Sequence, residues 1–229
     1  MQHPPERMRS VRSYVMRAGR ITEAQQRALT SLWPRYGIAF EPSVLDLDRV
    51  FGRIAPRTLE IGFGNGEHLL ERAKGAPERD FIGIEVHRPG IGHLLLAASN
   101  AELCNLRVIE QDAVEVLHHQ IAPGSLDEVQ LLFPDPWPKA RHHKRRLVQP
   151  AFASLIASRL APGGRFHLAT DWEPYAEEML TVLCACDALR NSAQAGGYVE
   201  HVIARTATRF ERRGENLGHR VRELLFIRG

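Results

Sequence analysis

Apolar and polar positions follow different rules in the first fifty residues and in the rest of the chain. Residues 1–20 hold prolines and arginines with little apolar periodicity and read as a basic arm. Thr22, followed three residues later by Gln25, forms a capping-box signature that opens a helix to about Leu32, where Trp33-Pro34 ends it. Ser43 is placed to cap a short second helix with Val44, Leu47 and Val50 among its apolar positions, and Gly52 stops it. From Arg57 onward, short apolar runs alternate with amphipathic stretches. TLEIG, FIGIE, LRVIEQD, LDEVQLLF and RFHLATD read as strands. EHLLERAKG, IGHLLLAASNAEL, AVEVLHHQI, QPAFASLIASRL and WEPYAEEMLTVLCACDALR read as helices. Two last runs, YVEHVIART and HRVRELLFI, read as strands with no helix between them.

Strands alternating with helices predict an α/β fold: a doubly wound, mainly parallel sheet of seven strands covered on both faces. The last two strands, lacking a crossover helix, predict an antiparallel closing pair. The division expected is 1–52 for the basic arm and short helices and 53–229 for the α/β domain.

Composition narrows the setting. The 229 residues are 44% hydrophobic and 25% charged, ordinary for a globular chain long enough to bury a core. No apolar run approaches the ~18 residues of a membrane span, and the N-terminus lacks a signal-type apolar stretch. Three cysteines (Cys104, Cys184, Cys186) are too few and too unevenly spaced for a disulfide framework, which fits a reducing, cytoplasmic compartment. Net charge is only +3, but it is unevenly distributed. Residues 7–35 carry seven arginines against one acid, Glu23, and KARHHKRR at 139–146 packs five fixed positive charges with two histidines. Such density attracts phosphate over a Debye length of ~8–10 Å. It is equally compatible with a solvated basic face.

The turn after the first αβ-domain strand reads Glu60-Ile61-Gly62-Phe63-Gly64-Asn65-Gly66-Glu67. Alternate glycines permit a tight turn and close backbone approach to a ligand, at the crevice where open α/β sheets bind. A dinucleotide fingerprint needs glycine where Glu67 stands, and that carboxylate would repel a pyrophosphate, so an NAD-linked oxidoreductase is disfavoured. No Gly-Lys-Ser/Thr follows, so a Walker loop is absent. Glu60, Glu85 and Asp112 end the first three strands on the same edge. An acid after the second strand suits a ribose diol, one after the third an adenine amino group, and one near the glycine loop an ammonium. Together they suit S-adenosylmethionine, a nucleoside with an amino group and a sulfonium but no phosphate.

The fourth strand runs into Phe133-Pro134-Asp135-Pro136-Trp137-Pro138-Lys139. Prolines on both sides of Asp135 stiffen it, and a rigid acid beside an aromatic is what stacking and reading a base requires. Base-facing and phosphate-facing groups would then be contiguous with RHHKRR. Other temptations are weaker. Adjacent histidines at 118–119 and 142–143 point apart and do not suit a metal. Cys184 and Cys186, at i and i+2 on the long helix, read as buried apolar thiols. Ser154 and Ser158 lack a nucleophile-elbow setting. Trp172 suits core and pocket equally.

FxGxGNGE, FIGIEVH, FPDPWPKARHHKRR, FHLATDWEPYAEEML and TRFERRGENLGH together resemble bacterial tRNA (guanine-N7)-methyltransferases, from about Arg12 to the C-terminus. PDPWPK followed by HHKRR is the specific part. The resemblance implies a class I, Rossmann-like methyltransferase fold and methyl transfer from S-adenosylmethionine to N7 of a guanosine in the tRNA variable loop. It implies cofactor-binding roles for Glu60, Gly62, Gly64, Gly66, Glu85, Asp112 and Asp135, with Asp135 also the active-site acid. It implies substrate binding by Lys139, Asp171, Thr208, Arg209, Phe210 and Glu211, and RNA contacts from Arg141, His142, His143, Lys144, Arg145 and Arg146. Ala140 stands where the pattern has a basic residue. N7 carries a lone pair and no proton, so the reaction needs alignment rather than a general base. Expected partners are tRNA, with no membrane and no metal, and the chain acts as a monomer or homodimer. Two alternatives remain: a related methyltransferase acting on a small molecule or protein, and a non-catalytic tRNA-binding module.

Overall fold

The computed structural model describes residues 13, 14, 19–193, 196–199 and 220–229. Its N-terminal elements are α1 (Glu23–Ser31), α2 (Trp33–Tyr36), β1 (Gly37–Ile38) and α3 (Leu47–Phe51). An alternating series follows: β2 (Arg57–Ile61), α4 (Glu67–Gly75), β3 (Asp80–Glu85), α5 (Arg88–Asn100), β4 (Leu106–Glu110), α6 (Ala113–His119) and β5 (Leu126–Leu132). After a 3₁₀ helix at Ala140–Arg145 come α7 (Pro150–Arg159), β6 (Leu160–Thr170), α8 (Glu173–Cys184), β7 (Leu189–Asn191) and β8 (Arg222–Arg228).

Local chemistry accounts for most boundaries. Both bonds of the Thr22/Gln25 capping box are present at α1. Trp33-Pro34 does end α1, and Pro34 then sits in the first turn of α2, where a missing N–H costs nothing. The cap of α3 is Asp46, whose carboxylate accepts from Arg49 N–H, rather than Ser43; Gly52 ends the helix at φ 70°.

The sheet has eight strands, ordered β1-β4-β3-β2-β5-β6-β8-β7. Pairing is parallel from β1 through β6, and antiparallel between β6 and β8 and between β8 and β7. The eighth strand is β1, which extends the edge beside β4. The closing pair also differs from expectation. Leu189 and Arg190, read from sequence as the tail of the long helix, leave α8 and with Asn191 pair with β8, while of YVEHVIART the described part bridges Glu223 through Val199. Because α8 stops at Cys184, the cysteines are not buried thiols: Cys184 is exposed and Cys186 half-buried.

Two apolar layers sandwich the sheet. Leu59, Ile61, Val129, Leu131, Phe166 and Leu168 cluster with residues of α6, α7 and α8. Phe81, Leu106 and Val108 cluster with residues of α1, α2, α4 and α5. Strand alternation turns Thr58, Glu60, Glu128 and Gln130 away from the first layer, and all four are buried. Burial pushes the Glu128 carboxyl up, but the guanidinium groups of Arg72 and Arg165, at 3.1 and 3.0 Å, and the Gln130 amide outweigh it and leave it below the ordinary carboxylate value. The strand sequence runs outward from β2 in one direction and from β5 in the other. The crevice between their carboxyl ends is thus the switch point of the sheet.

Candidate active site

At that switch point lies a cavity of about 320 Å³, walled by the β2–α4 loop, the end of β3, the start of α6 and the β5 exit loop. Each wall has a local cause.

The glycine loop takes Gly62, Gly64 and Gly66 through φ of 70°, 59° and 77°, the left-handed region that side chains resist. A Cβ on Gly62 or Gly64 would meet no atom within 4 Å, and both residues face the cavity. Gly66 heads α4 and packs on Leu94, whose side chain would stand 2.8 Å from an added Cβ. Glu85, ending β3, fixes this loop. Its Oε2 accepts Gly64 N–H at 2.8 Å, and its Oε1 accepts the N–H groups of Val86 and His87 at 2.7 and 3.0 Å. A carboxylate held by three backbone donors is fixed in place, and with about four acceptor sites in all it keeps about one for a ligand in the cavity it lines.

The β5 exit loop is built differently. Phe133 and Trp137 adopt φ of 52° and 45°, rare for non-glycine residues. Three fastenings hold them. Phe133 N–H donates to Ala169 O at 2.8 Å, Arg146 Nε–H to Pro136 O at 2.9 Å, and Trp137 Nε1–H to Ser13 O at 3.3 Å. Between these points Asp135 is presented to the cavity, exposed and flanked by its prolines.

Of the residues expected to bind cofactor, Gly62, Gly64, Glu85 and Asp135 line this one cavity. Glu60 does not. It faces the other side of β2, 3% exposed, with Oε2 2.9 Å from Nδ1 of His68, and the wall at that strand end is Ile61 and Gly62. Asp112 caps α6 by accepting Val114 N–H at 2.8 Å, and its neighbours Gln111 and Ala113 form the wall instead. Trp137 is not a cavity residue either. Arg145 lies over its ring at 4.9 Å and His142 meets it edge-on at 6.0 Å, so the indole is engaged outside the pocket. The aromatic groups in the wall are Phe133 and Tyr14. Trp172 packs against the main apolar cluster.

Lys139 is exposed at the head of the 3₁₀ helix, and Asp171 is half-exposed just beyond β6. Thr208, Arg209, Phe210 and Glu211 lie outside the described residues. Within the basic segment, Arg141 and Lys144 are exposed, and His142, His143 and Arg145 half-exposed. Desolvation and the charges of Arg141, Arg145, Lys139 and Lys144 hold His142 below the ordinary imidazole value. Arg146 departs from its expected RNA contact. Only 3% exposed, it pairs with Glu178, stacks 4.9 Å over the Tyr175 ring and donates to Pro136 O. Burial, the largest influence, pushes the Tyr175 hydroxyl up to about 12, so beneath that arginine it stays a neutral phenol.

Sequence reasoning missed Ser13, Tyr14, His87 and Gln111 in the wall, and Gly90 behind it. A Cβ on Gly90 would stand 2.0 Å from Gly64 O, so the start of α5 is shaped to admit the glycine loop. No local pattern marks Ser13, Tyr14 or Gly90, because each depends on a contact between distant segments, whereas His87 and Gln111 stand beside strand-end acids that the sequence did mark. Among the described residues, no group of three or more His, Cys, Asp or Glu is placed to hold a metal ion, and no helix is long and apolar enough to cross a membrane.

A ligand crevice at the switch point of a mainly parallel sheet with an antiparallel closing strand is the arrangement of class I methyltransferases, and solved structures bear out the fold. The 16S rRNA methyltransferase KamB is 16% identical and superposes with a TM-score of 0.55 over 93% of this chain and 97% of its own. The geranyl diphosphate C-methyltransferase of Streptomyces coelicolor A3(2), solved with S-adenosyl-L-homocysteine, is 10% identical with a TM-score of 0.51, over 78% and 72% of the two chains. A family model described as "Putative methyltransferase" matches residues 54–224. Curated relatives carry the name tRNA (guanine-N(7)-)-methyltransferase, among them the following two. That of Stutzerimonas stutzeri (strain A1501) is 56% identical over 96% of this chain and 92% of its own. That of Pseudomonas putida (strain W619) is 58% identical over 95% and 91%. The chain belongs to the tRNA (guanine-N(7)-)-methyltransferase family.

Proposed function

We propose that the chain transfers the methyl group of S-adenosylmethionine to N7 of a guanosine in the variable loop of tRNA, in the cytoplasm. The observation that carries this reading is the juxtaposition of Glu85, the glycine loop and Asp135 around one cavity, with the basic 3₁₀ helix starting five residues beyond Asp135. The cavity suits the cofactor. Its volume lies within the range of small-ligand sites. Gly62 and Gly64 leave space a side chain would fill, and Glu85 is a fixed acceptor with a site left for a ribose hydroxyl. S-adenosylmethionine, when bound, supplies a methyl group on a sulfonium.

This chain's residues supply alignment and charge. The rigid Phe133–Trp137 loop holds Asp135 on the cavity rim, where its carboxylate can accept from guanine N1–H and the exocyclic amine, a pattern adenine does not offer. The purine gains positive charge as N7 is methylated, so a fixed carboxylate favours the transition state over the ground state. Lys139, Arg141, Lys144 and Arg145 attract the phosphates of the RNA, while Asp171 and residues 208–211 contribute to substrate binding.

The test is methyl transfer from labelled S-adenosylmethionine to an unmodified tRNA transcript, with digestion to nucleosides. Label in 7-methylguanosine from the variable loop supports the reading, and label elsewhere or none overturns it. Asp135→Asn is expected to lower kcat about 100-fold, the scale of losing one preorganised electrostatic group. Unchanged turnover would remove Asp135 from the reaction.

A further inference from the structure

Three contacts bring Ser13, Tyr14 and Gly19 onto the rim of the cavity. Ser13 and Tyr14 form part of its wall. Ser13 O accepts the indole N–H of Trp137 at 3.3 Å. Gly19 lies against His87, another wall residue, so closely that an added Cβ would stand 2.6 Å from the imidazole Nε2. Among the described residues, the apolar clusters that hold the sheet and helices together include none of Ser13, Tyr14 and Trp137. Their contacts with each other and with the cavity therefore serve something other than the core. Trp137 keeps a left-handed backbone while its ring is gripped by Arg145, and this strained, braced position is what directs Nε1–H at Ser13 O.

We infer that Ser13 and Tyr14 complete the cofactor-binding wall and that Trp137 is the positioning residue that fastens them there. The inference rests on the proposed use of S-adenosylmethionine. Tyr14 then supplies an aromatic face to the bound nucleoside from a segment distant in sequence from the sheet. Trp137 ties that face to the loop that presents Asp135, so one indole holds the cofactor side and the acceptor side of the site in register.

Calorimetric titration of the full chain with S-adenosylhomocysteine tests this. Tyr14→Ala is expected to weaken binding about tenfold, and Tyr14→Phe, which keeps the ring, to stay within about twofold of wild type. Trp137→Phe keeps a ring for Arg145 but removes the N–H, and is expected to weaken binding about fivefold, the scale of one hydrogen bond. Melting temperatures without ligand should be unchanged in the two Tyr14 variants, which alter a residue outside the core, and should fall by no more than about 2–4 °C in Trp137→Phe, the scale of one hydrogen bond. Unchanged affinity in Tyr14→Ala and Trp137→Phe overturns the inference, including the case where only the KM for tRNA rises, which would assign the segment to the RNA. A wild-type chain that does not bind S-adenosylhomocysteine overturns the cofactor reading and this inference with it.

Discussion

The glycine loop after β2 and the proline-rich loop after β5 border the same cavity, and both carry their chain through left-handed backbone. The first does so at Gly62, Gly64 and Gly66, where no Cβ resists. The second does so at Phe133 and Trp137, where each residue costs roughly 1–2 kcal/mol. The first loop is held by backbone donors converging on Glu85. The second is held by Arg146, Ala169 and Ser13, each from another part of the chain. A loop shaped by glycine depends on what fits around it. A loop shaped against its own preference depends on what restrains it.

The largest effect expected is therefore at a restraint. Arg146→Ala removes the clamp on Pro136 and leaves Glu178 without its arginine, while Arg145→Ala next door removes a half-exposed stacking contact. Breaking a largely buried ion pair costs about 3 kcal/mol, or a fall in Tm of roughly 6–12 °C in a chain of this size. Arg145→Ala should leave Tm nearly unchanged and lower the slope of log K against log salt for tRNA by about 0.7–0.9. Thermal denaturation and RNA binding across a salt series separate the two. Equal behaviour of these neighbours would abolish the distinction drawn between them.

The next effect is at a fit. Gly90→Ala places a methyl group 2.0 Å from Gly64 O, so the glycine loop must shift. Overpacking of this kind costs about 2 kcal/mol, and S-adenosylhomocysteine affinity should fall about 30-fold. An unchanged affinity would mean that the loop position does not set cofactor binding.

Both loops were visible in the sequence, but not to the same depth. Glycines at alternate positions announce their own conformation, and the alternation of apolar runs and amphipathic stretches announces the parallel sheet. The two-residue β1 is too short for any period to register. β7 was hidden because Leu189 continues the apolar rhythm of α8 past the point where the helix stops. Glu60 and Glu85 both end strands. Glu60 lies one residue short of the last position of β2 and falls on the face toward His68, whereas Glu85 is the last residue of β3 and turns into the loop. Arg145 and Arg146 are identical as letters, and only the packing of α8 decides which one is buried. Ser13 and Tyr14 reach the cavity through a contact spanning 124 positions, for which a local pattern holds no signal.

The smallest effect sharpens the comparison most, because its sign differs between two readouts. Phe133→Gly converts one strained position of the second loop into the kind used throughout the first. Relief of left-handed strain stabilises by about 1 kcal/mol, and the ring it removes is half-exposed, so little core packing is lost. Glycine also enlarges the conformational freedom of the unfolded chain, which takes back several tenths of that gain. Tm should thus stay level or rise by a degree or two. The same change removes an aromatic wall from the cavity and loosens the lead-in to Asp135, so kcat/KM should fall about tenfold. A fall in both Tm and activity would mean that Phe133 is a packing residue. A fall in activity alone would mean that the strain is retained because it places Asp135.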